Sequence, residues 1–147
     1  MEHEFLETAQ DELKRADHLM FVSLKYTRTV DVIKSIITRL KAAIDAGFEV
    51  LLQEAKIAKR IDEVPTLHKM RVETVRQLHP EFSDFVDFYL LLRKIDKAEF
   101  ERDLEFRRHV CMTADVDGER LHITIDIVQD YYEKTKEFIG LVTRTLE

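Results

Sequence analysis

Arg107, Arg108 and His109 stand side by side and form a local cluster of positive charge. Guanidinium donors can grip phosphate oxygens in pairs, and an imidazole titrates near neutrality. Arg107 and Arg108 are therefore the candidate phosphate contacts. The stretch that leads up to them is balanced. Between Arg93 and His109, six positive residues (Arg93, Lys94, Lys97, Arg102, Arg107, Arg108) face five negative ones (Asp96, Glu99, Glu101, Asp103, Glu105). Such a mixture usually marks a solvated face with i,i+3 and i,i+4 pairs. Only its end reads as basic.

Other chemistries find few residues. The six histidines, His3, His18, His68, His79, His109 and His122, are scattered. Glu119 and His122 have the spacing of a di-iron ligand pair, but they fall in a predicted strand. There, residues three apart face opposite sides. Cys111 is the only cysteine, which excludes a disulfide within the chain and the common zinc-finger ligand sets. Its basic neighbours would lower a thiol pKa. The alternation of the strand nevertheless points it away from Val110 and Met112, and an ordinary strand residue is the plainer reading. There is no Gly-x-Ser-x-Gly and no glycine-rich phosphate loop. No metal and no cofactor is expected.

These residues must be positioned by the rest of a 147-residue chain, a length that suits one domain over 1–147 with a sizeable core. Only three Gly and two Pro occur, so the elements should be long, and long elements in a domain of this kind are helices. Charged residues make up 35%, against about 25% in an average globular protein. That density is a habit of heat-adapted proteins. The net charge of -6 gives no DNA signature. The segment Met1 to Gln10 is acidic and lacks an apolar run, so it does not read as a signal peptide. Phe88 to Leu92 is too short an apolar run to span a membrane. The expected setting is cytoplasmic, with no membrane contact.

Hydrophobic spacing predicts the elements. Leu6, Ala9, Leu13, Ala16, Met20 and Leu24 place a first helix over about 4–24, followed by a turn with Thr29 or Asp31 as helix cap. Val30, Ile33, Ile37, Leu40, Ile44, Gly47, Leu51, Ala55 and Ala58 trace a long seam, widened by Ile36, Phe48 and Leu52. So broad a stripe belongs inside a bundle or at a subunit contact. Gly47 in its middle suggests close approach of another helix. A third helix, over about 66–78, points Leu67, Met70, Thr74, Val75 and Leu78 inward. A fourth follows Pro80 and buries Phe82, Phe85, Val86, Tyr89 and Leu92. Asp96 and Glu99 have capping-box spacing and predict a further helix over about 97–107. Alternation on both sides of Asp117-Gly118 predicts a β-hairpin over about 108–125. Asp126 and Gln129 read as the capping box of a last helix that reaches Leu146. The expected fold is mainly α: an up-down bundle of four to five helices with one β-hairpin inserted before the last helix.

Arg102 and His109 are separated by six residues, Asp-Leu-Glu-Phe-Arg-Arg, ahead of that last helix. With the long early helices and the small residues Ala42, Ala43, Ala46 and Gly47, this resembles HEPN domains, which are helical bundles carrying an Arg, four to six residues and a His. The chain departs from that pattern at Asp103, where the family often has Asn or another polar residue, and in the hairpin that follows His109. The resemblance implies a metal-independent ribonuclease or a non-catalytic relative that binds RNA or a protein partner. In active members the site forms across a homodimer. His109 would then handle the proton of the attacking or leaving oxygen, and Arg102 would stabilise charge on the phosphorane. The plainer alternative pairs Arg102 with Glu99 or Glu105 on its own helix and leaves His109 at the start of a strand.

Two further functions compete. One is a non-enzymatic homodimeric module that holds another protein through the long second helix and the hairpin edge. The other is a small-molecule binder built on Phe82, Phe85, Phe88 and Tyr89, a cluster that is more often plain core.

Overall fold

The computed structural model describes residues 2–147. Met1, the first residue of the expected domain, lies outside the described residues. Five helices of at least 11 residues and a three-stranded antiparallel sheet make up the fold. Helix α1 spans Glu2–His18 and runs on through a π-helical turn, Leu19–Ser23, into a short α2, Leu24–Tyr26. The wider turn lets Met20 and Leu24 both reach the core after two successive steps of four.

The centre of the bundle is α3, Val30–Ile57. It starts at Thr29, whose hydroxyl accepts from the Val32 amide at 3.4 Å. Helices α1, α4 (His68–Leu78), α5 (Ser83–Lys97) and α6 (Ile125–Thr145) all pack on it. The broad apolar stripe of α3 is thus covered from within the chain, and its seam is buried from Val30 to Ala55. Ala58 lies just past the helix and is exposed. Gly47 meets α6, where an added Cβ would come within 2.8 Å of Phe138 Cε2. Phe48 sits between Tyr89 and Phe138, with ring centroids 4.9 and 5.5 Å away in edge-to-face geometry. Phe82, Phe85, Phe88 and Tyr89 are all buried in this aromatic core. Burial pushes the Tyr89 hydroxyl above its usual range.

Two expectations fail on α4 and after α5. Leu67 and Met70, expected inward, are 66% and 56% exposed; Val75 is buried as expected, and Val72 joins it in the core. The helix expected over 97–107 is a strand and a loop. Helix α5 ends at Lys97 because Ala98 is extended, and β1 (Phe100–Asp103) pairs with β2 (Cys111–Val116). β2 pairs in turn with β3 (Glu119–Thr124). A bare hairpin would leave one edge of β2 without backbone partners, and β1 supplies them. Asp96 is no helix cap. It lies on α5 and faces α3, accepting from Thr38 and Lys41 at 2.8 Å each and pairing with Lys34 at 3.2 Å. Partial burial opposes its ionisation, but the bonds from Lys41, Thr38 and Lys34 outweigh burial and hold its pKa at about 2.

The hairpin turn is as expected. Asp117 and Gly118 both have positive φ, +51° and +81°, as a type I′ turn requires. The cap of α6 is Thr124, two residues before Asp126, and its hydroxyl accepts from the Ile127 amide at 3.3 Å. Among the described residues, no helix is long and apolar enough to cross a membrane.

Candidate phosphate-binding site

The loop from Leu104 to His109 joins β1 to β2 and brings the basic cluster to the bundle. Leu104 and Phe106 have positive φ, +54° and +64°, without being glycine. Such a backbone costs about 1–3 kcal/mol per residue and persists only where its surroundings hold it. Two bonds do so here. The Phe106 amide donates to the Arg28 carbonyl at 2.6 Å, and Glu105 Oε2 accepts from the Val30 amide at 3.0 Å. Glu105 thereby caps the positive end of α3.

This arrangement engages four of the five acids that balance the basic stretch in the sequence, all but the exposed Glu99. Asp96 serves Lys34 and Lys41, Glu101 pairs with Arg120 at 2.7 Å, Asp103 accepts from Thr113 at 2.8 Å, and Glu105 is at α3. Among the described residues, Arg28, Arg107 and Arg108 make no ion pair. Charges that look mixed along the chain are sorted in space.

Arg28, Arg108 and His109 line one cavity of about 470 Å³ together with Thr124, Ile125 and Asp126. Thr124 caps α6, and Ile125 and Asp126 open its first turn. The first-turn amides of Ile125 and Asp126 have no acceptor within the helix, and the dipole of a 21-residue helix adds partial positive charge there. Asp126 is the one carboxylate of the lining. Two guanidinium groups, an imidazole and a helix start face it. Arg28 is half-buried, and its Nε is buried without a hydrogen-bond partner among the described residues. An orphaned charged donor costs more than the roughly 1–3 kcal/mol of a neutral one.

Arg102 does not line this cavity. It sits exposed on β1, donates to Asp31 at 2.8 Å and pairs with Glu105 at 3.7 Å, and its guanidinium lies 5.4 Å from the Phe100 ring centre. The bond to Asp31 holds it more firmly protonated than usual. The pairing with Glu105 matches the plainer sequence reading, on a strand and loop rather than a helix. His109 precedes β2 and is exposed at the cavity mouth, and Arg107 is exposed beside it. The chain therefore brings His109 together with Arg108 and Arg28, and leaves Arg102 outside the cavity.

Arg28 and the α6 start were not picked out from sequence. A lone Arg in a turn carries no local signal, because its place depends on a backbone bond to a distant loop. The Thr124 cap was legible in principle, since a Thr directly before an apolar-periodic run is a helix start signal.

A second polar group lies across the sheet. The Thr113 hydroxyl donates to Asp103 at 2.8 Å and stands 3.2 Å from His122 Nδ1, with Cys111 Sγ 3.7 Å away. Thr113 is buried, and its single proton is taken by Asp103, so His122 is not placed as its base. This group ties the three strands together. Among the described residues, no set of three or more His, Cys, Asp or Glu stands close enough to hold a metal ion. No family model, curated protein or solved structure matches this chain.

Proposed function

We propose that this chain is a HEPN-like domain that binds RNA through backbone phosphates and does not use Arg102 and His109 as a paired catalytic centre. One observation carries the reading: in a chain of net charge -6, Arg28, Arg108, His109 and the start of α6 converge on one cavity, and both arginines are free of ion pairs. A phosphate there would accept from the Arg28 and Arg108 guanidinium groups and from the first-turn amides of α6. His109 would donate from the rim, and Arg107 would meet a neighbouring phosphate. The engagement of Arg102 with Asp31 and Glu105 favours the non-catalytic form.

Fluorescence anisotropy with a labelled single-stranded RNA tests this. Arg108→Ala and Arg28→Ala each weaken binding about tenfold, and Arg102→Ala leaves it nearly unchanged. Equal losses in all three variants would return Arg102 to the site.

A homodimeric interaction module is the second reading. One of its motives is gone, since the α3 stripe is covered within the chain. The other stands: the outer edges of β1 and β3 carry no partner strand among the described residues. A monodisperse monomer in light scattering at tens of micromolar would rule the dimer out.

A further inference from the structure

Helices α5 and α6 both pack on α3, and they meet each other through aromatic rings: Phe85 lies 5.2 Å from Phe138, and Phe88 lies 5.4 Å from Tyr131, between centroids. Outside those rings the two helices leave a groove. Its wider part, about 890 Å³, reaches Gly140 and Arg144, and a second part of about 470 Å³ continues past Phe88 to Leu91. The two parts share Asp84, Asp130 and Lys134. Along α6 the groove runs for about four turns, or roughly 21 Å.

The helical glycines differ in a way that bears on this groove. Gly47 has an internal reason to lack a side chain, since Phe138 occupies the space. Gly140 has none: a Cβ there would meet no atom within 4 Å. Glycine inside a helix costs about 1 kcal/mol against alanine. Nothing in the chain's own packing offsets that cost at Gly140, whereas close approach of an outside backbone would. The groove is also charged. Glu81, Asp84, Asp87, Asp130, Glu133 and Glu137 line it against three cations, Lys134, Lys136 and Arg144. Lys134 lies over the Phe85 and Phe88 rings at 5.9 and 5.3 Å.

We infer that the α5/α6 groove is the docking site for a cationic amphipathic helix of a different protein, which crosses α6 closely at Gly140. Its apolar stripe covers the half-exposed Leu91, Tyr131 and Leu141 along the groove, and its lysines or arginines face the carboxylate rims. A second copy of this chain is the wrong occupant, because its charge of -6 has the same sign as the groove. The inference is independent of the phosphate reading, whose cavity involves only the start of α6, Thr124 to Asp126, before the groove begins at Asp130.

The test uses a synthetic amphipathic Leu/Lys helix of about 18 residues, roughly 27 Å long, and a Leu/Glu helix with the same apolar positions. Binding is read by anisotropy and by amide shifts in ¹⁵N-labelled protein. The Leu/Lys peptide should bind saturably and move the signals of Phe85, Phe88, Tyr131 and Gly140, and the Leu/Glu peptide should not bind. Gly140→Leu should weaken binding about tenfold or more, with an unfolding midpoint no lower than that of the native chain. Asp130→Lys should weaken it as well. The inference is overturned by absence of Leu/Lys binding, by equal binding to Gly140→Leu, or by shifts that map outside the groove.

Discussion

The Phe106 amide donates to the Arg28 carbonyl at 2.6 Å, and this one backbone bond joins the turn before α3 to the loop before β2. It is the contact through which Arg28 and Arg108, far apart in sequence, come to line the same cavity. Glu105, one residue earlier, fastens the same loop to the Val30 amide. The site therefore depends on two bonds that hold a strained loop.

Removing the second bond should loosen the loop without unfolding the bundle. Glu105→Ala takes away a helix cap worth about 1 kcal/mol. Hydrogen exchange of the Phe106 amide should speed up in this variant, while amides in the middle of α3 slow or quicken only with global stability. RNA binding should weaken through disorder of Arg108. Unchanged exchange at Phe106 would show that Glu105 does not hold the loop.

The ion cluster around Asp96 sets an acid limit. Its carboxyl has a pKa of about 2 when folded, below the ordinary 3.8. A depressed pKa means stability that is present above about 3.8 and lost as pH falls toward 2, here about 2 kcal/mol. Asp96→Asn should lose that amount at neutral pH and show a flatter stability profile between pH 4 and about 2. Urea unfolding at a series of pH values reads both, and a parallel profile in native and variant chains would contradict the assignment.

Gly47 and Gly140 should respond in opposite senses to alanine. Gly47→Ala forces a Cβ to within 2.8 Å of Phe138 and 3.3 Å of Ile139, and overpacking of that kind costs about 1–3 kcal/mol. Gly140→Ala meets nothing and gains helix propensity, up to about 1 kcal/mol. Thermal unfolding should place the two variants on either side of the native chain.

The periodic parts of the fold were legible in the sequence, and the site mostly was not. The α3 seam and Gly47 pointed to a central helix met closely by another, and α6 meets it there. Asp117-Gly118 carried the hairpin because only a few residues tolerate two positive φ angles. Phe100 to Asp103 misled because its acids and bases fall at helical spacings, although they pair across strands and to other helices. Leu104 and Phe106 carry positive φ with no glycine to announce it. Arg28 had no local signal at all. Arg108 and His109 were visible as a cluster, but their separation from Arg102 depended on the extra strand.

Salt should report on the phosphate contacts. For a single strand, the logarithm of the binding constant falls with the logarithm of salt by about 0.7 for each phosphate neutralised. With Arg28, Arg107 and Arg108 engaged, a slope near -2 is expected, and Arg108→Ala should make it shallower by about 0.7. A slope near zero in the native chain would contradict phosphate binding.

The most direct measurement is an amide and arginine side-chain NMR titration of the ¹⁵N-labelled protein with single-stranded RNA. The account predicts saturable shifts at Arg28 Nε, Arg108, His109 and the Ile125 and Asp126 amides, with Arg102 Nε unmoved. Shifts centred on Arg102, or none in the cavity, would contradict it.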